Sequence, residues 1–145
     1  MQNIDDNVKI TKTIFAIDDN PYFINTLISL FKKYGYDYKT FNHPDQMLEA
    51  LVDFDKNVSM ILIDYQMPEI DGINLAKQIR ENIKFNDIPM VLLSQYKELL
   101  EIQKKQGTDV LFLEIIFKGD IFTALPNLFK EVLKNDYDFD SELNC

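Results

Sequence analysis

The stretch that decides the fold is Val58-Ser-Met-Ile-Leu-Ile-Asp64, followed at once by Tyr65-Gln-Met-Pro-Glu-Ile-Asp-Gly72. The first part is an apolar run of strand length, the pattern of a strand buried on both faces of a parallel sheet. The second is rich in turn formers. Asp64 stands at their junction, at the carboxyl end of the strand, where open α/β sheets bind ligands and do chemistry. An earlier apolar run ends in the same way, on Asp18-Asp19. Three carboxylates from two strand ends ask for a hard cation.

Outward from this segment, strands and helices alternate. Strands are expected over residues 12–17, around Tyr36, Tyr38 and Phe41, over 58–63 and 88–93, and within 109–117. Asn20-Pro21 opens a helix, because proline fits the first turn, and Phe23, Leu27, Leu30, Phe31 and Tyr34 recur at helical spacing until Gly35 caps it. A second helix spans 44–54, with Met47, Leu48 and Leu51 inward. A third spans 72–83, with Leu75, Ile79 and Ile83 on one face. A fourth covers 96–106, anchored by Leu99, Leu100 and Ile102 and closed by Gly107. Phe122, Leu125, Leu128, Phe129, Val132 and Leu133 mark the last. Five βα units and the right-handed crossover rule predict an α/β fold, a flavodoxin-like doubly wound (βα)5 with a parallel five-stranded sheet of order 2-1-3-4-5. Residues 1–11 read as a loose N-terminal extension, 12–134 as one domain and 135–145 as an acidic C-terminal tail.

Composition narrows the function. The 145 residues suffice for one core without staples, and 24 acids against 15 bases give a net charge of -9. That disfavours direct nucleic-acid binding, which draws its affinity from Lys and Arg on phosphates. The single cysteine, Cys145, allows no intrachain disulfide and no thiolate cluster. His43 is the only histidine, so multi-histidine zinc sites and Ser-His-Asp triads are poor readings. No apolar stretch reaches membrane-spanning length. The N-terminus lacks a secretion-signal pattern, so the expected location is cytoplasmic.

In the expected topology the first and third strands are neighbours, so Asp18, Asp19 and Asp64 meet at one sheet edge. Like charges brought together rise in energy unless a cation compensates, and Mg²⁺ suits a few carboxylates, waters and a phosphate oxygen. Ser94 ends the fourth strand on the same edge and Lys118 follows the fifth. Carboxylates, a cation, a hydroxyl and an ammonium together suit a phosphoryl group arriving on a carboxylate oxygen, with Asp64 as nucleophile.

Asp18-Asp19, Asp64 with the Met67-Pro68 and Asp71-Gly72 run, Ser94 and Lys118 together resemble the receiver domain of bacterial two-component response regulators, over residues 12 to about 134. The resemblance implies that Asp64 is the phosphoacceptor, charged by a sensor histidine kinase or phosphotransfer protein. It implies that Asp18, Asp19, Asp64 and the Gln66 backbone carbonyl hold Mg²⁺. It implies that Ser94 and Lys118 contact the phosphoryl group, and that Gln66 and Tyr96 tune hydrolysis. Three positions depart from the family pattern. Gln95 replaces a small residue after Ser94, where a long amide can crowd the phosphoryl site or hydrogen-bond the group. Gly119 replaces a proline that follows a cis bond. Ile115 stands where the family places its switch aromatic, with Phe112 and Phe117 as substitutes depending on register, and the segment 107–118 is longer than usual.

Plainer readings stand beside these. Asp19 or Asn20 can cap the first helix, Ser94 can cap the fourth, and Lys118 can be a solvated surface lysine. Met67-Pro68 and Gly72 read as turn and packing devices, and His43 as a surface loop residue beside Pro44. Phe112, Phe122 and Phe129 are mostly core but can line a partner surface near the last helix. The tail can serve as a docking segment. The expectation is a stand-alone response regulator that signals to a downstream protein target by altered contacts, with at most self-directed phosphotransfer and dephosphorylation as enzymatic activity. Two rivals are an interaction module whose phosphorylation is absent or inert, and a small Mg²⁺-dependent phosphatase with Asp64 as nucleophile. Gln66 stands where the latter would need a second acid.

Overall fold

The computed structural model describes residues 12–54, 57–97, 101 and 111–133. Among the described residues, five strands and four α-helices follow in chain order: β1 (Thr13–Ile17), α1 (Pro21–Lys33), β2 (Asp37–Phe41), α2 (Pro44–Asp53), β3 (Val58–Asp64), α3 (Gly72–Arg80), β4 (Met90–Ser94), β5 (Glu114–Phe117) and α4 (Ile121–Leu128). The sheet is parallel, of order β2-β1-β3-β4-β5, the expected doubly wound arrangement. The expected helix over 96–106 and its cap Gly107 fall mainly outside the described residues, as do the extension 1–11 and the tail 135–145.

The central strands β1 and β4 are buried along their whole length, and β3 nearly so. That is why their sequences run apolar without alternating. One face packs Ile14, Leu27, Phe31, Leu62, Leu93, Leu125 and Phe129 under α1 and α4. The other packs Phe15, Met47, Ile61, Leu75, Ile79 and Leu92 under α2 and α3. The helix ends follow local chemistry. Asn20 caps α1, its side chain accepting from the Tyr22 and Phe23 amides, and Gly35 takes φ 79° beyond the C-terminus, a left-handed value that suits glycine.

Two packing expectations fail for local reasons. The third helix stops at Arg80, whose guanidinium donates to the carbonyls of Phe85 and Ile88 at 2.7 Å each. Asn82 then caps a short 3₁₀ turn over Ile83–Phe85, so Phe85 enters the core and Ile83 is 82% exposed. In the last helix a 3₁₀ turn at Lys118–Asp120 sets the phase, burying Ile121 and leaving Phe122 66% exposed. Val132 also faces outward, whereas Phe112 and Phe129 are buried in the core and offer no partner surface.

The register of β5 is fixed by Val91↔Glu114 through Ser94↔Phe117. Ile115 therefore pairs with Leu92 and packs, half-buried, against the core on the α3 side. Lys118 begins one residue beyond the partner of Ser94, at the carboxyl edge of the sheet.

Candidate functional site

That edge holds the three acids. Asp18 follows β1 and Asp64 ends β3; both side chains are buried, whereas Asp19 is exposed. One carboxylate oxygen from each lies within 4.8 Å of the others. Backbone contacts fix the two buried acids. The Asp18 amide donates to the Phe41 carbonyl, and its Oδ1 accepts from the Asn20 amide at 2.9 Å. The Tyr65 amide donates to Leu93, and the Gly72 amide donates to Tyr65 at 2.8 Å, folding the β3–α3 loop back over the strand end. A Cβ on Gly72 would stand 2.4 Å from the backbone oxygen of Asp64. Glycine is needed there by close approach, which makes the turn-and-packing reading of Gly72 the right one. Asp71 caps α3, its carboxylate accepting from the Asn74 amide at 2.8 Å.

Lys118 is no surface lysine. Its Nζ donates to Asp18 Oδ2 at 2.7 Å and sits 3.0 Å from Asp64 Oδ1, with a side chain only 10% exposed. The ammonium also lies 4.4 Å from the ring centroid of Phe23 on α1, a favourable cation–π position. Phe23 was legible in sequence only as a helix core position, and nothing local to it marks this contact. One ammonium between two carboxylates leaves negative charge in excess. Burial first, and the Asp18 carboxylate second, push the Asp64 carboxyl up from 3.8 to about 7, with Lys118 pulling the other way.

An open cleft of about 610 Å³ lies over this cluster. Asp18, Asp19, Asp64, Gln66, Gln95 and Lys118 line it. Ser94 is buried beneath, and its hydroxyl is engaged with the backbone of Tyr96: Oγ accepts from the Tyr96 amide at 3.0 Å and donates to the Tyr96 carbonyl at 3.1 Å. The Tyr96 side chain is half exposed. The geometry thus brings together Asp18, Asp19, Asp64, Lys118 and Gln66, and turns the hydroxyl of Ser94 to Tyr96. Gly119 lies under the ring of Phe117, where a Cβ would meet Cε2 at 2.3 Å. Lys97 Nζ stands 5.1 Å from the centroid of the same ring. His43 exceeds its surface-loop reading. Its Nδ1 accepts from the Asp45 amide at the start of α2, and Nε2 bonds Glu69 at 2.8 Å.

A doubly wound sheet carrying an acid cluster and a buried lysine at its carboxyl edge defines a class of ligand-handling α/β domains. Within it, the chain belongs to the response regulator receiver domain family, whose pattern it matches over residues 14–119. The rice two-component response regulator ORR3 (Oryza sativa subsp. japonica) is 28% identical over 110 residues, which span 74% of this chain and 83% of that protein. Among solved structures, the response regulator TrrA of Thermotoga maritima in complex with Mg²⁺-BeF superposes with a TM-score of 0.71 at 24% identity, over 84% of this chain and 99% of that one. TrrA in complex with the histidine kinase ThkA gives 0.70 at 25% identity, over 85% and 99%. The donor set fits a hard cation, being all carboxylate oxygens at one open cleft. Among the described residues no helix is long and apolar enough to cross a membrane.

Proposed function

We propose that this receiver domain accepts a phosphoryl group on Asp64, from the phosphohistidine of a sensor kinase or phosphotransfer protein, and signals by changed contacts with a downstream protein. The observation that carries the reading is the Lys118 ammonium held between the buried carboxylates of Asp18 and Asp64. It fixes the acceptor oxygen and leaves a cation beside it. TrrA, crystallised with its kinase ThkA, supports a histidine kinase as partner.

In the transfer, a carboxylate oxygen of Asp64 attacks phosphorus. The P–O bond forms as the P–N bond to imidazole breaks, and the imidazole nitrogen leaves with the electron pair and takes a proton from water. Asp18, Asp19, Asp64 and the Gln66 carbonyl would hold Mg²⁺. When bound, the ion neutralises charge on the transferring oxygens. Lys118 supplies a second positive charge to those oxygens. Asp18 keeps Lys118 in place, and Asp71 and Gly72 keep the loop after Asp64 in place. By the family resemblance, Gln66, which lines the cleft, and Tyr96 set how long the acyl phosphate lasts. Phosphorylation then shifts a two-state equilibrium of the surface.

The test is incubation with Mg²⁺ and acetyl phosphate, read by intact mass, with Asp64→Asn as control. One added phosphoryl group in the wild type and none in the variant is expected. No adduct with acetyl phosphate or with a phosphorylated donor would return the chain to the inert interaction module. Turnover of many small phosphate esters would favour the phosphatase.

A further inference from the structure

We infer that His43 is a positioning residue for the cation site: through Glu69 it sets the loop that presents the Gln66 carbonyl. The inference rests on that carbonyl being a Mg²⁺ ligand beside Asp18, Asp19 and Asp64. Two observations meet at the connection between β2 and α2. Where the connection begins, the Phe41 carbonyl accepts from the amide of Asp18 at 3.1 Å. Two residues on, His43 reaches across to Glu69 at 2.8 Å. In the neutral imidazole Nε2–H is the donor, because Nδ1 accepts from the Asp45 amide. One short stretch of chain thus holds both the acid that follows β1 and the loop that follows β3.

The loop is secured at its two ends, where the Tyr65 amide donates to Leu93, the Gly72 amide donates to Tyr65 and Asp71 caps α3. Met67 and Ile70 hold it against the core. Between those ends, among the described residues, the hydrogen bond that reaches residues 66–70 is the one from His43. Gln66 is exposed and lines the cleft. Mg²⁺ demands near-ideal octahedral geometry, so a backbone carbonyl serves it only where the loop places that carbonyl. Groups that orient ligands in this way are felt in metal affinity. Histidine suits the task because its cap fixes its ring: tied to α2 at one nitrogen, it aims the other N–H in one direction. Asparagine would cap α2 as well, but its side chain is too short to reach Glu69.

The experiment titrates the full chain with Mg²⁺ alone at pH 8, followed by amide NMR, in enough salt to screen surface charge. Melting in EDTA is measured beside it. The variants are His43→Asn, Glu69→Ala, Glu69→Gln and the double variant of His43→Asn with Glu69→Ala. His43→Asn keeps a cap and breaks only the reach to Glu69. It and Glu69→Ala are each expected to weaken Mg²⁺ binding by about threefold to tenfold, with little change in melting without metal. The double variant should lose no more than either single one, because both remove the same bond. Glu69→Gln, whose carbonyl still accepts from Nε2–H, should recover most of the loss. A change below about threefold in His43→Asn, or losses that add in the double variant, would overturn the inference and leave the cation site standing. A lower melting temperature in EDTA with Mg²⁺ affinity unchanged would reduce His43 to a structural contact. Absence of Mg²⁺ binding in the wild type would overturn the cation reading together with the inference.

Discussion

Replacing Asp64 by asparagine should make the protein more stable while abolishing its chemistry. The Asp64 side chain is buried beside Asp18, and the two share one ammonium. Burial first and Asp18 second raise its carboxyl from 3.8 to about 7. At about 1.4 kcal/mol per tenfold, ionising it in the folded chain costs on the order of 4 kcal/mol. Asparagine must still satisfy its own amide in that site, which leaves a net gain on the order of 2 kcal/mol. The pH dependence has a definite sign. Because the folded carboxyl is the weaker acid, the folded chain retains between about pH 4 and pH 7 a proton that the unfolded chain has released. The contribution to stability is present below about pH 4, is lost as pH rises through about 7, and is level above. The gap between Asp64→Asn and wild type should therefore be less than half as large at pH 5 as at pH 8. The assay is thermal and urea unfolding by circular dichroism, with EDTA to strip divalent cations, since the chain has no tryptophan to report by fluorescence. A gain of about 6 °C at pH 8 is expected for a domain of this size. A variant that melts at or below the wild type at pH 8, or a gap equal at both pH values, would refute the reasoning.

Lys118→Met removes the cation between two buried acids and should cost about 2–4 kcal/mol at pH 8, with partial recovery at pH 5 as Asp64 protonates, measured by urea unfolding. Adding Mg²⁺ should raise the melting temperature of the wild type and do so far less in Asp18→Asn, where the donor set is broken; an equal rise in both would count against the acid cluster as the cation site. Gly72→Ala places a methyl 2.4 Å from the Asp64 carbonyl, so it should lose about 1–3 kcal/mol and slow adduct formation by acetyl phosphate, read by melting and intact mass. Asn20→Ala removes the cap that accepts from the Tyr22 and Phe23 amides and should cost about 1 kcal/mol on unfolding while leaving phosphorylation near the wild-type rate.

How far the sequence could be read depended on the range of the interactions involved. Asp64 and Gly72 were legible because a strand end and a close backbone approach dictate residue type locally. The alternation of apolar runs fixed the sheet for the same reason. Ile83 was misplaced because helical spacing continues through it, while the helix is ended by Arg80 reaching carbonyls five and eight residues ahead. Phe122 was misplaced by one short turn that changes the helical phase. Phe23 acquires its role from Lys118, distant in the chain, and no local pattern carries that. The identity of Ser94 was readable, but not the direction of its hydroxyl, which depends on the path of the chain after β4.

The one histidine of the chain turns out to be joined to the loop that leaves the acid cluster. His43 reaches Glu69 with Nε2 while Nδ1 holds the start of α2, so its neutral form has a single tautomer, with the proton on Nε2. In a chain with no other imidazole, that ring gives an unambiguous magnetic resonance signal from the partner of Glu69, which lies three residues along from Gln66. The protein thus carries its own reporter, in place without labelling or mutation, hydrogen-bonded to the loop that follows Asp64.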